Sequence, residues 1–273
     1  MKARITLLSV SLLFLVSIFY SCGANIFSVN QDIELGKEMD SQIKADPVSY
    51  PPLNGHEDLK AYVSGVGKSV VNGTELIKYK NVFPYQFTVI NDTIVNAFCA
   101  PGGYIYVYTG LIKFIDNEAT LAGILAHEIA HAENRHTTKR ITSYYGVSLA
   151  LNIVLGSNPN SIAEIMSNLF TGLGFLANSR SDEKEADEYS IKYLASGGKY
   201  YPGAIKYFFY KIQDEQQRAG QNPGAIDRLL STHPLNQDRI ENVYAKLKEY
   251  NINADSTKGL YINEYQFEKA KLP

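Results

Sequence analysis

"LAGILAHEIAHAENRH", residues 121–136, carries three of the chain's five histidines. His127 and His131 bracket Glu128 in the pattern H-E-x-x-H. Asp116 or Asn117 can cap a helix just upstream, with Glu118 favourable in its first turn. Arg135, Lys139 and Arg140 suit the C-terminal end of the dipole, so the pattern predicts one helix from about 117 to 140. On such a helix, residues four apart differ by about 40° in direction, and His127 and His131 point the same way. Their imidazoles can bind one Zn²⁺, and Glu128 flanks that position where it can polarise a bound water. The alternative is an ordinary solvated polar face. With so few histidines in the chain, the pattern is a specific signal for a metal.

A third ligand is not obvious. A histidine six residues after the second, with a glycine between, would fit one group of zinc enzymes, but those positions are Thr137 and Asn134. His136 is one residue short, about 140° off the metal face of a continuous helix, which makes it a surface or second-layer residue. The other source is a carboxylate from a later helix. "SRSDEKEADEYS", residues 179–190, offers Glu183 and Asp187 on one face and Glu185 on another. One ligand plus one carboxylate orienting a ligating histidine is what a zinc site needs, yet a solvated acidic face has the same spacing.

Around these segments the chain reads as α+β and helix-dominated. Helices are expected over the stretch closed by Pro47, near residues 57–71, and near 182–196, 202–219 and 236–250. "YQFTVIND" and "GGYIYVYTG" read as strands, and the second has tyrosines on one face and Ile105 and Val107 on the other, so both faces can be packed. Two apolar stretches, 141–155 and 162–177, are too short to span a membrane and read as a helical hairpin. The last 23 residues, 251–273, read as a polar tail. A formal net charge of −2 gives no electrostatic reason to expect nucleic acid as a partner.

Four segments occur in order: "NAFCAPGGYIYVYTGLI", "LAGILAHEIAHAENRH", "SRSDEKEAD" and "STHPLNQDRI". Together they resemble the zinc metallopeptidase family that includes HtpX, the CAAX-prenyl protease and the periplasmic BepA and LoiP. The resemblance covers roughly residues 30–250 and is nearest the periplasmic members. It implies a helix-rich gluzincin-type fold with a small antiparallel sheet beside the H-E-x-x-H helix. It implies one zinc per chain, held by His127, His131 and Glu183, with Glu128 as general base. Arg180, Asp187 and Arg239 are then the supporting residues. His233, in "STHPLNQDRI", is implied near the metal, either as a latch on its open position or as an oxyanion donor, with Arg239 an alternative donor. Asn96, Ala97 and Phe98 are implied in an edge strand that pairs with substrate polypeptide, although a core strand would read the same way.

The N-terminus reads as a separate unit. Lys2 and Arg4 precede an apolar run that ends at Ser21-Cys22-Gly23, as in an export signal of the lipoprotein type. The expected organisation is a signal over 1–21, lipidation at Cys22, a tether over 22–30 and a zinc metallopeptidase domain over 31–250. An uncleaved N-terminal anchor is the alternative. Either version ties the protein to a membrane of the bacterial envelope, facing the periplasm, and if Cys22 is lipidated Cys99 is left without a disulfide partner. The resulting expectation is a zinc endopeptidase acting on misfolded or unassembled envelope polypeptides. The competing class is a chaperone or assembly factor that holds polypeptides in the same groove and cleaves rarely.

Overall fold

A computed structural model describes residues 25–154, 178–219, 224–235 and 237–273. The expected signal segment, Cys22 and the second apolar stretch lie outside the described residues.

Helix α1 spans Val29–Ala45. Ser28 opens it with a capping box: the Gln31 amide N–H donates to the Ser28 hydroxyl, and the Ser28 N–H donates to the Gln31 side chain at 2.7 Å. Residues 25–30 of the segment expected as a tether are therefore built into the fold, with Phe27 buried and the Asn25 side chain donating to Thr138 Oγ1 at 2.9 Å. Helix α2 covers Glu57–Gly73. Three strands follow: β1 Gln86–Ile90, β2 Ala97–Ala100 and β3 Tyr104–Tyr108.

The strand order is β1-β3-β2. β2 and β3 form an antiparallel hairpin across Pro101–Gly103, but β1 pairs with β3 in parallel. The sheet is thus mixed where an antiparallel one was expected. The last strand inserts between the first two because it alone is apolar on both faces. Tyr104, Tyr106 and Tyr108 pack with Leu35, Met39 and Ile43 of α1. Ile105 and Val107 face the main core. β2 is left at an edge.

A short helix α3, Thr109–Phe114, leads to α4, Glu118–Glu133. Asn117 caps α4 through its side-chain oxygen, which accepts from the Thr120 N–H at 2.8 Å. Every residue of α4 is buried, as expected of a helix whose small and apolar residues run all round it. It packs against α2, β2, α6 (Arg180–Gly197) and α7 (Ile205–Ala219).

The single helix expected to run to residue 140 is broken. α4 ends at Glu133, Arg135 takes a left-handed backbone with φ 55°, and α5 restarts at His136 and reaches Val154. A residue with a side chain is costly in that conformation. Here it is held in place because the Arg135 guanidinium binds both Asp32 and the Phe27 carbonyl.

Beyond α6 and α7 come α8, Asp227–Thr232, and α9, Gln237–Glu249. The final residues are not a free tail. They form α10, Ile262–Lys269, which buries Tyr265. Tyr265, Gln266 and Lys269 donate to the carbonyls of Ile112, Asp116 and Ile115 at 2.7–2.8 Å. These groups satisfy acceptors that the end of α3 would otherwise leave open, and they fix the approach to α4.

α1 and the hairpin turn meet at Gly36, where an added Cβ would lie 1.9 Å from the Pro101 carbonyl oxygen. Gly36→Ala should therefore destabilise by about 1–3 kcal/mol through overpacking. Gly65 sits in α2 with nothing within 4 Å of its would-be Cβ. Gly65→Ala should stabilise by about 0.5–1 kcal/mol. Chemical denaturation of both variants checks the pair, and equal signs would overturn this account of the packing.

Candidate metal centre

α4 presents His127 and His131 on one face, as the four-residue spacing requires. α6 crosses it and lays Glu183 against them. Glu183 Oε2 is 3.5 Å from His127 Nε2, and Oε1 is 3.3 Å from His131 Nε2. The two histidine Nε2 atoms stand 3.0 Å apart. His233, at the C-cap of α8, completes the group with Nδ1 3.0 Å from Glu183 Oε1. Single donor atoms from His127, His131, Glu183 and His233 all lie within 4.8 Å of one another, and all four residues are buried. Imidazole lone pairs and one carboxylate, converging in a dry site, form a donor set suited to a borderline divalent cation.

The surrounding residues set tautomers and charges. Asp187 Oδ1 stands 2.9 Å from His127 Nδ1. Arg239 from α9 pairs with Asp187 through two nitrogens at 2.7 and 2.8 Å, and its Nη1 reaches Glu183 Oε2 at 2.6 Å. With the Pro234 carbonyl at 3.3 Å from Nη1 as a further acceptor, Arg239 holds the carboxylate face of the site. Burial opposes ionisation of Glu183. His233, Arg239, His127 and His131 outweigh it and hold the carboxyl well below the usual carboxylate range. Burial also disfavours a charged His127, but Asp187 and Glu183 prevail and raise its pKa to about 10. Burial pushes His131 well below the ordinary imidazole range.

The break after α4 brings His136 back to the site. Its Nδ1 is 2.7 Å from His131 Nδ1, and its Nε2 is 3.1 Å from Glu185 Oε2. Of the two places open to it, His136 occupies the second layer. Burial lowers its pKa. A neutral His136 can accept the His131 Nδ1–H and donate its own Nε2–H to Glu185, which leaves His131 Nε2 free to bind a cation.

Arg180, expected among the supporting residues, lies exposed at the first residue of α6, where its guanidinium stays solvated. Asn178, which the spacing argument passed over, is buried with Nδ2 at 3.3 Å from His131 Nε2 and 3.1 Å from His233 Nδ1. The one available signal was its place directly before the Ser179 cap of the ligand helix. Glu128 is buried, with Oε1 3.7 Å from His233 Nε2. β2, which contains Ala97 and Phe98 and follows Asn96, is an edge of the sheet and packs against α4. Cys99 lies in the same strand, and burial raises its thiol well above the usual range, so it stays an unreactive neutral group.

The model of peptidase family M48 matches residues 56–246. The putative beta-barrel assembly-enhancing protease of Vibrio cholerae is 30% identical over 208 residues, covering 73% of this chain and 41% of that protein. The beta-barrel assembly-enhancing protease of Escherichia coli is 26% identical over 230 residues, covering 81% and 44%. The mitochondrial metalloendopeptidase OMA1 of Arabidopsis thaliana is 34% identical over 156 residues, covering 57% and 30%. The chain spans less than half the length of these relatives.

At pH 7 Glu183 is ionised and His131 neutral, while His127 keeps a proton that a cation must displace. Metal uptake should therefore release about one proton, and affinity should rise about tenfold per pH unit through neutrality. Calorimetry in buffers of different ionisation enthalpy measures the proton count. A count of zero would show that His127 is already neutral.

Proposed function

Because the chain belongs to peptidase family M48, we propose that it is a zinc-dependent endopeptidase of the bacterial cell envelope that cleaves misfolded or unassembled polypeptides. The observation that carries this reading is the convergence of His127, His131 and Glu183 on one buried point, with Glu128 alongside and an edge strand next to it. The names of the bacterial relatives, which refer to β-barrel assembly, support envelope polypeptides as the substrate class. No helix among the described residues is long and apolar enough to cross a membrane. Attachment is assigned to lipid on Cys22, in keeping with the basic and apolar run that precedes it.

His127, His131 and Glu183 would hold the zinc, which when bound would supply Lewis-acid activation of water and of the scissile carbonyl. The protein's own residues do the rest. His136, backed by Glu185, can accept the His131 Nδ1–H, and Asp187 stands 2.9 Å from His127 Nδ1, so each histidine has a partner on the side away from the site. β2 offers its outer edge to an extended substrate backbone, and Asn96, Ala97 and Phe98 are the residues assigned to that pairing. The Glu128 carboxylate takes the proton of the attacking water and returns it to the leaving amine.

His233 is assigned as a latch. Its imidazole stands among the ligand atoms, within reach of Glu183 and Glu128, where it competes for the position the water must take. Pro234 restricts the His233 backbone, which is extended at φ −127° and ψ 80°, and this projects the side chain from the loop.

Glu128→Gln should keep its metal and lose about 10²–10⁴ in the rate of casein cleavage, because an amide cannot accept the proton. Turnover within a few-fold of wild type would refute the assignment. His233→Ala should raise basal cleavage or cause self-cleavage. A slower variant with unchanged zinc content would instead make His233 an oxyanion donor.

A further inference from the structure

Two pockets share Glu128 and His233 but differ in chemistry. The one on the His127 side is walled by Ile124, Phe208, Phe209, Ile212, Leu229 and Leu235. The one on the His131 side is lined by Asn96, Phe98 and Asn178, and by the guanidinium groups of Arg140 and Arg228.

Arg140 is the anomaly in that second pocket. Its Nε and Nη1 are buried and meet no hydrogen-bond acceptor among the described residues. Its remaining described bond is a long one, 3.5 Å from Nη2 to Thr137 Oγ1. Buried guanidinium groups are normally matched, since an unmatched charge is expensive in a dry place. The neighbouring carboxylates do not match it. Asp182, the carboxylate that acts on it most strongly, accepts the Ser179 N–H at 3.2 Å and makes no hydrogen bond to Arg140. Glu183 is paired with Arg239, and Glu128 makes no hydrogen bond to Arg140 either. Arg228 interacts with Tyr108 and adds a second positive charge to the same wall. The Cys99 thiol, kept neutral by burial, brings no compensating anion.

We propose that the pocket on the His131 side is a carboxylate-binding subsite in which Arg140 holds an acidic group of the substrate, while the apolar pocket takes a large aliphatic or aromatic residue across the scissile bond. Two buried N–H donors that lack an acceptor on a charged group fit a carboxylate in charge and in hydrogen-bonding capacity. The acid is either an Asp or Glu side chain close to the cut or the terminal carboxylate of a chain. This inference rests on the peptidase reading, which it deepens by naming a sequence preference.

The test uses zinc-loaded wild-type protein and peptides in pairs that differ only by Glu or Gln, at each of the three positions on either side of the cut. A parallel pair carries a free or an amidated C-terminus. One position should favour Glu by about tenfold or more in kcat/KM, the worth of a charge-assisted bond inside a protein. A preference for the free terminus would identify the terminal carboxylate as the acid instead. Arg140→Gln should bring the ratio close to one, and Arg140→Glu should turn it in favour of Gln. Equal rates for every pair, with cleavage proceeding, would overturn the subsite and leave the peptidase reading intact. Should no peptide be cut, calorimetry of the same pairs on zinc-loaded Glu128→Gln protein decides separately. Tighter binding of the acid member upholds the subsite while the peptidase reading falls, and equal binding overturns the subsite. The wild-type comparison needs no Arg140 variant, so a folding failure of those variants does not shield the proposal.

Discussion

Glu183 and Asp187 are 1% and 2% exposed, and the structure depends on the one guanidinium that makes this tolerable. Two carboxylates without water would repel each other and take up protons. Arg239 spans both, with distances of 2.6–2.8 Å, and places the opposite charge between them. The pairing also decides how three helices meet. α6 supplies the carboxylates, α9 supplies the arginine, and α4 supplies the histidines that face them. Removing Arg239 would leave uncompensated buried charge, a larger penalty than the loss of an exposed ion pair.

A second constraint comes from the N-terminal segment. Asp32 and the Phe27 carbonyl hold Arg135 in its left-handed turn, and that turn swings His136 back to His131. The end of the expected tether and the first turn of α1 therefore bear on the tautomer of the His131 imidazole. His131 is oriented by a residue five positions along the chain, through a helix break and not through helical periodicity.

This explains what the sequence could and could not disclose. The inward face shared by His127 and His131, and that shared by Glu183 and Asp187, follow from helical spacing, which holds wherever the helix is regular. The cap of α4, read as Asp116 or Asn117, is local chemistry and was equally legible. The break at Arg135 was hidden because no glycine or proline marks it; its cause is an ion pair to a residue 103 positions away. The parallel pairing of β1 was hidden for a related reason. The alternation in "YIYVY" shows that β3 has two apolar faces, but which neighbour lies in which direction depends on the path of the whole chain. The last helix eluded a composition-based reading because one buried tyrosine and two side-chain bonds to carbonyls outweigh its polar residues.

The loop that carries His233 is tied to the ligand set by the same atoms that define the site. Arg239 Nη1 lies 3.3 Å from the Pro234 carbonyl oxygen and 2.6 Å from Glu183 Oε2. Asn178 stands between His131 and His233. A displacement of this loop strips Arg239 of one acceptor and Asn178 of one neighbour. The Arg239–Asp187 pair is the part that remains. Movement of His233, as the proposed latch requires, therefore leaves the other residues of the candidate metal site in place. It perturbs the side of Glu183 that faces His233 and leaves Asp187 and His127 in place. A fully buried α4 provides the rigid side of this arrangement, and the short α8 with its Pro234 loop provides the side that can move.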